Sequence, residues 1–172
     1  MAGRGMQRQK KEGPEFIEKV IDIARVAKVV KGGRRFSLRA LVAIGDGKGT
    51  IGLGFGKSNE VLSAIQKALL DARRNMVTIS RKGTTIPHEV LTKFKGAKVL
   101  LKPASEGTGV IAGGVIRSIA ECAGIQNLLS KSLGSDSKLN IARATLEALL
   151  SIRTREQVAQ IRNKAIEELK AK

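Results

Sequence analysis

Residues 45–58, GDGKGTIGLGFGKS, contain six glycines in fourteen positions and decide how the first part of the chain folds. The pair Asp46-Gly47 is a strong β-hairpin signal. After it, Ile51, Leu53 and Phe55 alternate with the glycines at positions 52, 54 and 56, and this two-residue period is typical of a strand. The stretch therefore predicts a hairpin turn and a strand with one apolar face and one face of bare backbone.

The same glycines also resemble a phosphate-binding loop. Residues 47–52 fit G-x-G-x-x-G, and residues 56–58 copy the end of a Walker A loop. Ile51, however, stands where Walker A requires its first glycine, and Gly52 precedes a strand pattern, not the helix of a dinucleotide site. The V-A-I-K and H-R-D strings of a kinase do not occur. The pattern thus favours a sheet over a nucleotide site, and we expect no cofactor.

The flanking segments extend this sheet. Residues 16–30 are rich in β-branched residues, KGGRR (31–35) predicts a turn, and residues 35–45 alternate as a strand that places Arg35 and Arg39 on the bare glycine face. A helix capped by Ser58 or Asn59 follows, and its apolar stripe is predicted to cover the apolar face of the sheet. Three antiparallel strands and a helix predict a domain of the double-stranded-RNA-binding type.

The bare glycine face has two interpretations. A strand without side chains lets another molecule approach the backbone closely. RNA and a protein element both satisfy that condition, and the sequence leaves the choice between them open.

A second unit follows the first. A strand-like MVTIS (76–80) leads to a hairpin over 88–101 that turns near Lys95-Gly96. A loop and a helix ending at Gly124 come next, and the pair Gly113-Gly114 predicts close packing of that helix on a sheet. A strand and a helix capped by residues 135–137 complete a two-layer α/β domain.

A last helix opens with a capping box at residues 154–157. Its narrow stripe, Val158, Ile161, Ala165 and Leu169, predicts docking on a neighbour. The fold class is therefore α+β, with two small two-layer domains. The predicted boundaries are 1–14 for a basic disordered tail, 15–78 and 79–153 for the two domains, and 154–172 for the C-terminal helix.

The charge of the chain indicates its partner. Its 32 Lys and Arg against 15 Asp and Glu give a net charge of +17, which points to a polyanion such as nucleic acid. With four Phe, no Tyr and no Trp, base stacking is a poor mechanism, and recognition of the phosphate backbone remains.

Other functional classes find little support in the sequence. One cysteine, one histidine and the absence of a triad or ligand cluster predict neither catalysis nor a metal site. No apolar run reaches the length of a membrane span, and we expect a soluble cytoplasmic protein without a small-molecule substrate. Three hypotheses stay in competition: a ribosomal RNA-binding component, a free duplex-RNA-binding regulator, and a nucleotide-dependent enzyme.

The strongest candidates for RNA contact lie at the tip of the first hairpin. Two glycines allow close approach there, and three cations can reach phosphates, in the set Lys31, Gly32, Gly33, Arg34 and Arg35. Arg39 belongs to the face that we predict for the partner. Lys48 and Lys57 flank the glycine row, and whether they bind phosphate or are only solvated is left open.

Four segments identify a resemblance. Residues 31–68, residues 102–125 and the later KSLGS and NIARATLEAL segments closely resemble the bacterial form of the small-subunit ribosomal protein S-five family. The similarity runs from about Phe16 to Ile152. It implies a double-stranded-RNA-binding-like first domain and a second domain of the left-handed βαβ type.

The resemblance also implies function and partners. Such a protein binds small-subunit ribosomal RNA through its basic hairpin, stabilises the head of the subunit relative to the body, and lies near the site where messenger RNA enters. It touches ribosomal proteins S-four and S-eight, and the S-four contact influences translational accuracy. The matching strip here is Glu106, Gly107, Thr108, Gly109 and Arg117.

Overall fold

The computed structural model describes residues 16–163, which form two four-stranded sheets and four helices. The strands are β1 (Ile17–Val30), β2 (Gly33–Gly45), β3 (Thr50–Ser58), β4 (Met76–Thr78), β5 (Val90–Phe94), β6 (Ala97–Pro103), β7 (Val110–Ile111) and β8 (Leu128–Gly134). The helices are α1 (Val61–Arg74), α2 (Gly114–Cys122), α3 (Lys138–Leu150) and α4 (Arg155–Arg162). No helix of residues 16–163 is long and apolar enough to cross a membrane.

The first sheet has the order β1-β2-β3-β4 and is antiparallel throughout. Three strands followed by α1 confirm the predicted β-β-β-α arrangement and, with the second sheet, the α+β fold class. The strand within MVTIS pairs with β3, with Thr50 opposite Thr78 and Gly52 opposite Met76. This strand therefore completes the first sheet and does not open the second unit.

Helix α1 packs on the glycine face of β3, so the predicted position of the helix was wrong. A Cβ added at Gly54 would lie 1.9 Å from the carbonyl oxygen of Ala68, and the same holds at 2.1–2.2 Å for the pairs Gly56–Ala64 and Gly52–Ala72. Four helical residues rise about 6 Å, close to the roughly 6.7 Å of two strand residues, so each alanine meets one glycine. No external partner can occupy this face.

The opposite face of the first sheet packs against the second half of the chain. Leu41, Ala43 and Ile51 are buried, and with half-buried Leu53 they join one apolar core that also includes side chains of α2, α3 and β6. The large side chains of β3 therefore point toward α2 and α3, which lie between the two sheets. A smaller cluster of Ala40, Val42, Ala64 and Ala68 lies under α1.

The second sheet has the order β5-β6-β8-β7. The predicted hairpin is confirmed, because β5 and β6 pair around a turn at Lys95, whose φ is 51°. Strands β7 and β8 are parallel and joined through α2, a βαβ unit. The predicted close packing at Gly113-Gly114 was wrong, because a Cβ at either position would meet no atom within 4 Å.

The helix ends differ in part from prediction. Glu60, not Ser58 or Asn59, is the N-cap of α1, and it makes no side-chain capping bond. The capping box of α4 is confirmed, since Thr154 accepts from the amide of Gln157 and the Gln157 side chain accepts from the amide of Thr154. Residues 1–14, Ala165 and Leu169 lie outside the described residues.

Candidate nucleic-acid interface

The β1–β2 hairpin projects beyond the rest of the first sheet. Strands β1 and β2 stay paired out to Val30 and Gly33, whereas the pairing of β3 with β2 stops at Leu38 opposite Ser58. Five residues of strand cover about 17 Å. The outer part of the hairpin is therefore a two-stranded ribbon of roughly that length, open to solvent on both faces.

The tip of this ribbon is built for close approach. Lys31 and Gly32 form the turn, and Gly33 has a φ of 135°, which favours glycine. All of residues 31–36 are exposed, and a Cβ at Gly32 or Gly33 would meet no atom within 4 Å. A large ligand can thus reach the tip backbone without displacing protein atoms.

The ribbon carries cations on both faces. Arg34 lies opposite Val29 and Arg35 opposite Lys28 in the register, and neighbouring residues of a strand point to opposite faces. Six basic and no acidic residues occur between positions 23 and 45. The projecting part of the sheet is therefore uniformly positive, and the structure brings Lys31, Arg34 and Arg35 together as predicted.

Two cations of β1 were not predicted from the sequence as RNA-binding residues. Lys28 lies opposite Arg35, and the guanidinium of Arg25 stacks 3.6 Å from the centroid of the Phe36 ring. Such a stack holds a planar cation in place on the ribbon. The signal was available in the register of the predicted hairpin, which places these residues beside the basic residues of β2.

Arg39 and Lys57 face away from the glycine row, so the face predicted for Arg35 and Arg39 was wrong. They lie opposite each other in the register of β2 and β3, on the side of Leu41 and Ala43. Arg35 shares this side because it is four residues from Arg39 along β2. Since α1 covers the other side, these cations belong to the face toward the second domain.

Arg39 also has an acidic neighbour. Its guanidinium is 4.0 Å from Asp22, and the ammonium of Lys138 at the start of α3 is 2.6 Å from the other carboxylate oxygen. The Asp22 side chain is only 14% exposed. Arg39 therefore takes part in an ion cluster between the two domains, while exposed Lys57 makes no ion pair within residues 16–163.

Lys48 lies at the far end of the sheet. Gly33 and Gly45 are twelve positions apart along β2, which is about 40 Å of strand. The backbone amide of Lys48 donates to Asp46 at 2.7 Å, and that of Thr50 donates to the same oxygen at 2.9 Å. Burial opposes ionisation of Asp46, but these amides together outweigh it and lower the pKa of the carboxyl group.

The second predicted surface lies in the loop between β6 and β7. Residues 105–108 form a turn closed by the amide of Thr108 on the carbonyl of Ser105, 3.2 Å away. A Cβ at Gly107, Gly109, Gly113 or Gly114 would meet no atom within 4 Å. Arg117 donates to the carbonyl of Val110 at 3.2 Å, so the structure brings this cation to the strip. Here, and not in β3, glycines leave bare backbone exposed.

The basic ribbon and the strip between β6 and α2 are held in a fixed relation by close contacts between the β2–β3 turn and the end of α2. The amide of Gly47 donates to the carbonyl of Cys122 at 3.1 Å. One nitrogen of Arg81 donates to the carbonyls of Gly47 and Gly124, both at 3.3 Å. A Cβ at Gly124 would lie 1.8 Å from the Gly47 oxygen. Backbone contacts and one arginine thus lock the β2–β3 turn onto the end of α2.

No group of three or more metal-ligating side chains occurs within residues 16–163. The one histidine, His88, accepts from the amide of Arg153 through Nε2 at 3.3 Å, and Nδ1 lies 2.9 Å from the carbonyl of Glu89. Its contacts tie the start of β5 to the end of α3.

Comparison with known proteins identifies the class. The family model described as "Ribosomal protein S5, N-terminal domain" matches residues 16–80, and the one described as "Ribosomal protein S5, C-terminal domain" matches residues 92–162. The two-domain α+β fold is consistent with these two domains, and the family consists of structural ribosomal proteins, not enzymes.

A curated relative narrows this further. The "Small ribosomal subunit protein uS5" of Idiomarina loihiensis (strain ATCC BAA-735 / DSM 15497 / L2-TR) is 52% identical over 155 residues, which are 90% of this chain and 93% of the relative. The chain belongs to the bacterial ribosomal protein S5 family. Membership makes it a structural constituent of the small ribosomal subunit, and ribosomal RNA binding and a part in translation follow from the family.

Proposed function

We propose that the β1–β2 ribbon is the principal ribosomal RNA contact and that it braces the head of the small subunit against the body, in a cytoplasmic ribosome. The observation that carries the proposal is the ribbon itself, which projects about 17 Å with its cations exposed. A two-stranded ribbon is narrow enough to enter a groove between RNA segments. Neutralisation of the converging phosphates then holds the segments together.

The cations divide into roles. Lys31, Arg34 and Arg35 contact phosphates at the tip, with Gly32 and Gly33 allowing close approach. Arg25 and Lys28 extend the contact along β1. Lys57 reaches RNA at the base of the ribbon. Arg39 supports the ribbon through its ion pair with Asp22. Lys48 contacts any RNA that runs past the far end of the sheet.

Charge reversal at the tip tests this assignment. Arg34→Glu with Arg35→Glu should leave the fold intact, because both side chains are exposed. The loss of two phosphate contacts should lower the slope of log K against log salt by about 2 for binding to small-subunit ribosomal RNA. Lys82→Glu with Arg153→Glu is the matched control, since both residues are exposed, lie outside the proposed RNA contacts and change the net charge equally.

The same variants should be followed into particles. The tip variant should enter small subunits poorly in reconstitution, whereas the control should enter normally. Equal loss in both would mean that bulk charge, not the ribbon, binds the RNA. Sedimentation of a lysate at low and high salt tests the assignment to the particle itself, because a free duplex-RNA-binding regulator would stay outside small subunits.

We further propose that the strip Glu106, Gly107, Thr108, Gly109 and Arg117 contacts ribosomal protein S-four and influences translational accuracy, with S-eight as a second protein neighbour and messenger RNA passing nearby. The support is the exposed glycine backbone and the cation beside it. Arg117→Glu should keep the free protein stable and weaken its binding to purified S-four. Arg153→Glu, at another exposed arginine, should leave binding to S-four unchanged. If both variants weaken binding equally, or if neither weakens it, the assignment is contradicted.

A further inference from the structure

The outer face of the second sheet is the largest surface that the proposed contacts leave unexplained. Helices α2 and α3 cover the inner face, where Val99, Leu101 and Leu128 are buried. The outer face is composed of the alternate residues, and no element within residues 16–163 covers its apolar side chains. Leu91 is 53% exposed, Ile111 55% and Leu133 41%.

The register of the sheet arranges these side chains in a diagonal stripe. Leu91 lies opposite Leu100 in the pairing of β5 with β6, and Leu129 lies opposite Ile111 in the pairing of β8 with β7. Leu129 itself is opposite Lys102, two residues along β6 from Leu100. The stripe Leu91–Leu100–Leu129–Ile111 therefore crosses all four strands.

Lysines border one side of this stripe. Lys93 lies opposite Lys98, and Lys131 lies opposite Leu100. All three are exposed and make no ion pair within residues 16–163. Lys102, on the other side, is already paired with Glu89 at 3.4 Å. The uncompensated charge is thus concentrated along a single flank.

We propose that this face binds an amphipathic helix of another small-subunit protein, with carboxylates along one flank of its apolar stripe. Three strand spacings and two residues of strand give the stripe a length of about 16 Å, which is three turns of helix. Apolar residues at i, i+3 or i+4, i+7, and i+10 or i+11 would cover the stripe. The carboxylates would then meet Lys93, Lys98 and Lys131.

Other occupants fit less well. A second copy of this chain would bring the same three lysines face to face, in a protein whose net charge is already +17. RNA would satisfy the lysines but leave four large apolar side chains against phosphates and sugars, with no Tyr or Trp for base stacking. An acidic helix satisfies both features.

Zero-length carbodiimide coupling in purified small subunits containing the full chain tests the proposal. It should join Lys93, Lys98 or Lys131 to Asp or Glu of a helix in another protein, identified by mass spectrometry of the linked peptides. Leu91→Asn with Ile111→Ser should lower that yield about tenfold, a loss of about 1.4 kcal/mol in binding. Leu62→Asn on α1, 67% exposed, should leave it unchanged.

Several results would overturn the proposal. It is refuted if the three lysines are acetylated as fast in the particle as in the free chain, or if they form ultraviolet crosslinks to RNA. It is also refuted if carbodiimide couples these lysines to Glu167 or Glu168 of the same chain, or to a second copy of the chain. None of these results depends on the ribbon, so failure here is separate from failure of the proposed RNA contact.

Discussion

The packing of α1 on the glycine row makes a sharp prediction for Gly54→Ala. The new Cβ would lie 1.9 Å from the Ala68 oxygen and 2.4 Å from the Ala72 nitrogen, whereas real Cβ contacts essentially never fall below 3.0 Å. Both neighbours are backbone atoms of one helix, so no side-chain rotation can relieve the clash. The helix must move away by about 1 Å.

The energetic cost follows from that displacement. A gap of 0.5–1 Å forfeits about a quarter to a half of each dispersion contact, and the cluster of Ala40, Val42, Ala64 and Ala68 lies in this interface. Overpacking typically costs about 1–3 kcal/mol. Because all the relief must come from movement of a helix, we expect about 3 kcal/mol less stability for Gly54→Ala.

Urea unfolding of the full chain measures this loss. Far-ultraviolet circular dichroism is the suitable probe, since the chain has no Trp or Tyr. Gly32→Ala is the matched control: it is the same chemical change where nothing lies within 4 Å, and it should shift stability by less than about 0.5 kcal/mol. If Gly54→Ala were as stable as the wild type, α1 could not lie on the glycine row.

Two further predictions concern ionisable groups. Asp46→Asn should be less stable than the wild type at neutral pH; because the folded pKa of Asp46 is lowered, its stabilisation is present above the unfolded value near 3.8 and is lost as the pH falls through the folded value. A difference in urea midpoint that did not shrink as the pH fell below the unfolded value would contradict this. Burial raises the pKa of the Cys122 thiol from 9.0 to about 11, despite nearby Lys19, so its thiolate fraction at pH 8 is about a hundredfold below that of an ordinary thiol. Alkylation at pH 8 should therefore be slow until urea unfolds the chain, and rapid labelling of the folded protein would refute it.

Much of the local structure could be read from the sequence, because local chemistry dictates it. Asp46-Gly47 required a turn, since Gly47 adopts a φ of 67°, and Thr154 with Gln157 required a helix start. The basic hairpin tip also emerged, because a turn of glycines between two strands brings its flanking cations together whatever the rest of the fold does. The domain boundaries predicted at 14/15, 78/79 and 153/154 stay predictions.

The position of α1 could not be obtained from the strand pattern alone. Alternation in β3 defines two faces but does not say which one a helix covers, and the larger residues Ile51 and Leu53 made the apolar face the natural choice. The usable signal lay in the helix, where Ala64, Ala68 and Ala72 recur at four-residue spacing. Small side chains allow close packing on bare backbone, whereas Ile51 and Leu53 belong to the larger core that the first sheet shares with α2 and α3.

The sequence by itself determined the strands, the hairpin turns, the positive charge and the motifs that mark the family. The strands, turns and motifs depend on residues that are close in sequence, and the net charge is a sum over the charged residues. Tertiary structure alone decided that the glycines of β3 are internal, that Arg39 and Lys138 share Asp22, and that bare backbone is exposed at Gly107, Gly113 and Gly114. Each of these depends on which faces meet across the chain, and that choice is made by the fit of side-chain volumes between distant elements.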